Sequence, residues 1–132
     1  MLGADGALVG SRLWATRESL APEGAKQQAL QCDGDGTARS AVFDILRRKN
    51  WPVPYDFRAI RNDLHRRWED HVEALRQAPD EARAEYEAAV KAGDFSKAHA
   101  TIGEAVALVR DLPGAEELIN RMTADARAIL GS

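Results

Sequence analysis

Gly10 and Ser11 are the residues of this chain whose types and position point most directly to chemistry. They follow an apolar run at positions 7–9 and precede Leu13-Trp14-Ala15, a pattern that predicts a short buried strand, a turn and the start of a helix. A glycine at such a turn lets a ligand approach the backbone, and the free N–H groups of a first helical turn bind phosphate. In β/α barrels such a site follows the last two strands. The sequence therefore predicts a phosphate site at Gly10 and Ser11, with a plain strand-to-helix turn as the alternative.

The three histidines do not form a recognisable metal or catalytic pattern with the acidic residues near them. His65 and Glu69 are four residues apart on one face of a predicted helix, and His71 follows closely. A metal, however, needs three or four converging ligands. His99 lies on another predicted helix without an identifiable partner. We therefore predict no catalytic and no metal-binding residue, and we expect His65 and His71 on a solvated face.

Hydrophobic spacing predicts a mainly α-helical chain, folded as a helical bundle. Residues 37–45 are expected to form a short strand or an extended arm. Prolines keep the segment around Trp51 and Tyr55 extended, and we expect these two aromatic side chains to pack as lids over the helical core. The predicted helices span residues 22–32, 57–78, 79–92 and 95–109, followed by a last helix that carries the apolar residues between Leu118 and Leu130.

Composition and charge limit the classes of function. The chain has 132 residues, which suffices for one domain but not for a complete β/α barrel. Its net charge of −3 gives no general attraction to nucleic acid or anionic membranes. The single cysteine, Cys32, cannot form an internal disulfide, and no apolar run is long enough to span a membrane. We therefore expect a cytoplasmic protein without a membrane partner.

Charged residues divide into two neighbouring stretches of opposite sign. Positions 39–67 hold eight basic and three acidic residues, and positions 68–94 hold three basic and eight acidic ones. Aromatic residues interleaved with the basic stretch are also typical of nucleic-acid binding. Adjacent stretches of opposite sign more simply pair with each other as the chain folds. We expect that pairing, and no nucleic-acid partner.

Residues 3–15, which read Gly-Ala-Asp-Gly-Ala-Leu-Val-Gly-Ser-Arg-Leu-Trp-Ala, resemble the last barrel strand of the nitronate monooxygenase family, formerly called 2-nitropropane dioxygenases. Members carry a Gly-Thr or Gly-Ser pair at this point. The likeness covers nearly the whole chain and continues at Val42-Phe43-Asp44-Ile45, Trp51-Pro52, Arg61-Asn62, Ala92-Gly93-Asp94-Phe95 and Gly103-Glu104-Ala105-Val106.

The resemblance implies the C-terminal portion of an FMN-dependent oxidoreductase that oxidises alkyl nitronates with molecular oxygen. The fold would be mainly α, a helical bundle carrying the last strand and helix of an incomplete FMN-binding β/α (TIM) barrel. Residues 1–36 would be the remnant of the barrel C-terminus, and residues 37–132 a helical lid or substrate domain. Backbone N–H groups at Gly10 and Ser11 would hold the FMN phosphate, with the Ser11 hydroxyl adding a bond.

The family's catalytic histidine belongs to an upstream loop that none of the three histidines matches, so the resemblance implies a chain that is inactive alone. A second hypothesis is a non-enzymatic helical interaction module. An exposed strand edge at residues 7–9 would then pair with another chain, including a second copy of this one.

Overall fold

The computed structural model describes Gly3 and residues 5–131 of the chain. Over this part the protein is mainly helical. The predicted helices at residues 22–32, 79–92 and the C-terminus are confirmed by helices at Glu23–Gln31, Asp80–Ala92 and Ala115–Leu130. In chain order the elements are α1 (Ser11–Trp14), α2 (Glu23–Gln31), a 3-10 turn (Gly34–Gly36), β1 (Thr37–Ser40), α3 (Val42–Leu46), β2 (Phe57–Ile60), α4 (Asp63–Trp68), α5 (Val72–Gln77), α6 (Asp80–Ala92), a 3-10 helix (Glu104–Leu108) and α7 (Ala115–Leu130).

Strands β1 and β2 form an antiparallel ribbon in which Thr37 pairs with Ile60 and Ser40 with Phe57. The prediction of one continuous helix over residues 57–78 is therefore wrong. Asn62 ends the strand and begins α4, because its side chain accepts a hydrogen bond from the backbone N–H of His65 at 2.9 Å. An N-cap with this geometry has extended backbone, so a single helix cannot run through it.

The segment predicted as a helix over residues 95–109 forms a turn and a bend at residues 95–98, has no regular structure up to Gly103 and then forms a 3-10 helix. Two of its carbonyl groups bond to β2 and to Asn62, which follows β2. The Ala100 carbonyl accepts from the N–H of Ile60 at 3.0 Å, and the Ala98 carbonyl accepts from the Asn62 amide at 2.8 Å. The apolar spacing in this segment therefore reflects packing along β2 rather than a helical face.

Two apolar cores lie on either side of the ribbon. The first joins α3 to α4, α5 and α6 through buried Val42, Phe43, Leu46, Leu64, Leu75 and Tyr86. The second joins α2 to the segment after α6 through buried Ala25, Ala29, Ile60, Ala100, Ile102 and Val106. Each large apolar side chain buried in this way stabilises the fold by about 1.5–3 kcal/mol.

The strand predicted at residues 7–9 is not formed. These residues have no regular structure, and the Leu8 side chain is fully exposed. A parallel strand needs neighbouring strands for its backbone hydrogen bonds, and the described residues supply none beside it. The expected barrel strand is therefore absent from the part of the chain that the structure describes.

Helix α7 touches the rest of the protein mainly near its beginning. Leu118 is buried, whereas Ile119, Ile129 and Leu130 are at least half exposed. Within residues 3 and 5–131, no helix is long and apolar enough to cross a membrane.

Candidate functional site

The predicted phosphate turn is formed by Gly10 at the N-cap of α1, and the N–H of Trp14 donates to the Gly10 carbonyl at 2.9 Å. No described residue accepts a hydrogen bond from the N–H of Ser11 or Arg12, as expected for a first helical turn. A side chain added at Gly10 would meet no atom within 4 Å. The predicted helical turn is therefore present with backbone donors that are unpaired within the described residues, and its role in binding phosphate stays a prediction.

Ser11 makes a contact that the sequence did not predict. Its Oγ accepts a hydrogen bond of 2.8 Å from the N–H of Gly103, and a Cβ at Gly103 would lie 3.2 Å from that oxygen. Gly103 falls inside the helix predicted over residues 95–109, but it stands before the 3-10 helix with extended backbone. The Ser11 hydroxyl hydrogen is left to donate elsewhere, because a hydroxyl accepts and donates at once.

A cleft of about 440 Å³ lies at this turn. Arg58 is its cationic residue, and its guanidinium lies 3.0 Å from the Thr37 hydroxyl and 2.9 Å from the Glu104 carboxylate. No local signal in the sequence indicates a role for Arg58, because it comes beside the turn only where β2 lies along the segment that leads to Gly103. The cleft is lined by Gly10, Ser11, Trp14, Phe57, Arg58, Thr101, Ile102 and Gly103.

Arg12 is engaged away from the cleft. Its guanidinium forms an ion pair with the Asp111 carboxylate and donates to the Asp111 carbonyl at 3.0 Å. Arg121 binds the same carboxylate at 3.0 Å, and Arg121 and then Arg12 hold the pKa of Asp111 below its usual range. Arg12 therefore anchors α1 to the segment before α7.

A second groove, of about 710 Å³, continues the cleft, since Phe57 and Thr101 line both. We call it the aromatic groove. Trp51 and Tyr55, predicted to pack as lids, lie on its wall with 56% and 66% of their surfaces exposed. The Arg47 guanidinium lies 4.7 Å from the centroid of the Phe57 ring. The groove is lined by Arg47, Trp51, Pro52, Tyr55, Asp56, Phe57 and Thr101.

His65 is buried, with 1% of its surface exposed, so the prediction of a solvated face is wrong for this residue. Its Nε2 lies 2.8 Å from Ser40 Oγ, and its Nδ1 lies 3.1 Å from the Glu69 carboxylate. Burial lowers the pKa of His65. His71 is exposed, as predicted. The Ser40–His65–Glu69 chain ties β1 to α4 and lines neither the cleft nor the groove.

His99 has the partner that sequence could not identify. Its Nδ1 lies 2.7 Å from the hydroxyl of Tyr86, and burial, with a smaller effect of Arg47, lowers its pKa to about 4. The ring is therefore neutral at pH 7. Among the described residues no group of histidine, cysteine and acidic side chains is arranged to hold a metal ion.

The two oppositely charged stretches pair with each other, as predicted. Ion pairs between them join Arg61 to Glu69 at 3.3 Å, Arg67 to Glu85 at 2.6 Å and Arg48 to Glu87 at 3.3 Å.

Comparison with known proteins identifies relatives over almost the whole chain. The family model described as nitronate monooxygenase matches residues 1–125. A protein named nitronate monooxygenase from Neurospora crassa is 28% identical over 96% of this chain and 33% of its own length. Nitronate monooxygenase npaC from Metarhizium robertsii is 30% identical over 99% of this chain and 38% of its own length. The chain thus spans about a third of the length of these curated relatives.

Solved structures of FabK from Thermotoga maritima share the fold. One matches 92% of this chain and 37% of its own with a TM-score of 0.67 at 15% identity. An M276A mutant matches 98% of this chain and 35% of its own with a TM-score of 0.65 at 17% identity.

Proposed function

This chain belongs to the nitronate monooxygenase family, and from that premise we propose that it supplies the FMN-phosphate turn and a lid to a flavin-dependent oxidoreductase acting on alkyl nitronates. The observation that carries the proposal is the turn at Gly10 and Ser11, which lines the cleft and leaves backbone N–H donors without an acceptor among the described residues. Residues 1–36 are assigned to the cofactor side and residues 37–132 to the lid.

The residues at the turn fit a phosphate group. The N–H groups of Ser11 and Arg12 have no acceptor within the described part of the chain, and the space beside Gly10 admits an oxygen atom close to the backbone. The Ser11 hydroxyl can donate a further bond while it still accepts from Gly103. Arg58 adds positive charge to the same cleft. FMN, when bound, supplies the electron-accepting chemistry, and this chain's contribution is to bind and orient it.

We propose that the chain does not oxidise nitronates by itself. The resemblance assigns the catalytic base to an upstream loop, and none of the three histidines here lines the cleft or the aromatic groove. The His65 ring is hydrogen-bonded to the Ser40 hydroxyl, and the His99 ring is hydrogen-bonded to the Tyr86 hydroxyl. The lid would therefore act with residues that relatives carry in the two thirds of their length not matched here.

FMN titration of the purified chain, followed by quenching of flavin fluorescence, tests the proposal. Gly10→Asp places a carboxylate beside the phosphate and should abolish saturable binding. Gly6→Asp is the matched control, because it makes the same change at an exposed glycine with no atom within 4 Å of its added Cβ. Equal binding by both variants, or no binding by the unchanged chain, would contradict the proposal.

The second candidate is an interaction module, favoured by apolar side chains that lie in solvent. Leu8 and Leu20 are fully exposed, and Ile129 is 81% exposed. Self-association through residues 7–9 would cover part of this surface. Light scattering after size-exclusion chromatography, combined with the FMN titration, distinguishes the two candidates. A colourless dimer that does not bind FMN supports the interaction module, and a monomer that binds FMN excludes it.

A further inference from the structure

Arg47 differs from every other half-buried arginine in the described part of the chain. Arg12 is paired with Asp111, Arg58 with Glu104 and Arg83 with Asp80. The Arg47 guanidinium has no carboxylate or carbonyl partner among the described residues and instead lies over the ring of Phe57. A guanidinium carries five N–H donors, and a partly desolvated one strongly favours an anionic acceptor.

The two carboxylates nearest to Arg47 in the groove and the adjoining core, those of Asp56 and Asp44, form no ion pair with it. Asp56 lines the aromatic groove but accepts a hydrogen bond of 2.6 Å from Arg39, which forms an ion pair with it. Asp44 is buried, its Oδ1 accepts from the indole N–H of Trp51 at 3.2 Å, and its Oδ2 has no hydrogen-bond partner within the described residues. Burial raises the pKa of Asp44 and the charge of Arg47 opposes that shift, but the two groups do not form an ion pair. The guanidinium N–H donors of Arg47 therefore remain available to a ligand in the groove.

The rest of the groove is suited to a short carbon skeleton. Phe57, Tyr55 and Trp51 present aromatic surface to it, and half or more of Trp51 and Tyr55 is open to solvent. The groove shares Phe57 and Thr101 with the cleft at Gly10 and Ser11, so a ligand there would lie next to the proposed phosphate site.

We infer that the aromatic groove is the substrate subsite of the lid and binds a small organic anion, with the negative group paired to Arg47 and the carbon body against Trp51, Tyr55 and Phe57. This assignment rests on the proposed function, because a nitronate is such an anion. Arg47 is then a specificity-determining residue: it favours the nitronate over the uncharged nitroalkane with the same carbon skeleton.

The test follows the indole N–H resonance of Trp51 in ¹H–¹⁵N spectra of the full chain, assigned with Trp51→Phe. The chain contains three tryptophans, so only three indole N–H resonances are expected and they are easily resolved. The probes are propyl-1-nitronate and neutral 1-nitropropane. Removing a charge-assisted hydrogen bond typically weakens binding about tenfold or more, so the nitronate should bind about tenfold more tightly than its parent.

Arg47→Gln should remove that preference, and Arg110→Gln, the same change at an exposed arginine outside the groove, should keep it. Equal affinity for the two probes, or an unchanged preference in Arg47→Gln, would overturn the inference. FMN is titrated into the same variants. Retained FMN binding in Arg47→Gln supports a substrate role, whereas its loss would assign Arg47 to the cofactor and overturn the inference. A nitronate response in a chain that binds no FMN would contradict the proposed function alone.

Discussion

The backbone N–H of Gly103 donates a hydrogen bond to Oγ of Ser11, 92 residues earlier in the chain, at 2.8 Å. This contact joins the turn at α1 to the residue that precedes the 3-10 helix, and both residues line the cleft. The serine hydroxyl thus has a structural role as an acceptor beside its proposed role as a donor to phosphate. The two roles can be separated by substitution.

Ser11→Ala should lower the free energy of unfolding by about 1 kcal/mol, because the half-buried N–H of Gly103 loses its acceptor. Urea unfolding followed by circular dichroism measures the change. Ser11→Thr retains the hydroxyl and should stay close to the unchanged chain in both stability and FMN affinity. An alanine variant as stable as the threonine variant would show that the Gly103 contact does not stabilise the fold.

His99 should make stability depend on pH. Burial lowers its pKa from 6.5 to about 4, so between these values the unfolded chain binds a proton that the folded chain does not. The contribution is complete above pH 6.5 and is lost as the pH falls towards 4. The free energy of unfolding should therefore decrease on acidification through this range, as urea unfolding at a series of pH values can measure.

His99→Asn should flatten that dependence, since asparagine does not titrate and its amide can still bond to the Tyr86 hydroxyl. A residual slope of the same sign is expected from His65, whose pKa burial also lowers. The control is His71→Asn at an exposed position, which should leave the profile unchanged. Identical profiles for the two variants would refute the assignment.

Leu118 should contribute most of the packing energy that holds α7 against the rest of the protein. Its side chain is 1% exposed, so Leu118→Ala should cost about 2–5 kcal/mol through lost burial and a cavity. Ile129→Ala, on the same helix but 81% exposed, should change stability by no more than about 0.5 kcal/mol. Thermal unfolding of both variants checks the contrast. A comparable loss in Ile129→Ala would mean that this face is covered in solution.

Asp111 links two arginines from distant parts of the chain, Arg12 in α1 and Arg121 in α7. Asp111→Asn should destabilise the protein by up to about 1 kcal/mol at low salt, because the bridging carboxylate is half exposed. The loss should shrink at 1 M salt, where the Debye length is about 3 Å. Glu73→Gln, which breaks an exposed pair with Arg76, should have no measurable effect. A salt-independent loss in Asp111→Asn would contradict the ion-pair explanation.

Local sequence patterns were sufficient to predict the helices whose first and last residues are typical of helix ends. Helix α6 begins after Pro79 with Asp80 and Glu81 and ends at Gly93, which adopts the left-handed conformation that glycine tolerates. The turn at Gly10 was predicted for the same reason, because its donors belong to the first residues of α1. These features depend on residues within a few positions of one another.

Over residues 57–78, apolar spacing predicted the wrong secondary structure. Phe57, Ile60, Leu64 and Trp68 are spaced by three and four, yet the first two belong to β2 and the others to α4. Apolar spacing shows which side chains are buried but not what buries them. Ile60 packs in the core around Ala100, whereas Phe57, Leu64 and Trp68 pack in the core around α3. The Asn62 cap was the local signal that a helix begins only at Asp63.

The sequence by itself determined the helix ends set by capping residues, the open turn at Gly10 and Ser11 and the pairing of its two charged stretches. Only the tertiary structure decided that Ser11 bonds to Gly103, that His65 is buried and that Arg47 faces the aromatic groove without a partner within the described residues. The physical reason is distance along the chain. Caps and turns are satisfied by neighbouring residues, whereas burial and hydrogen-bond partners at long range depend on which segments meet, and no local spacing specifies that.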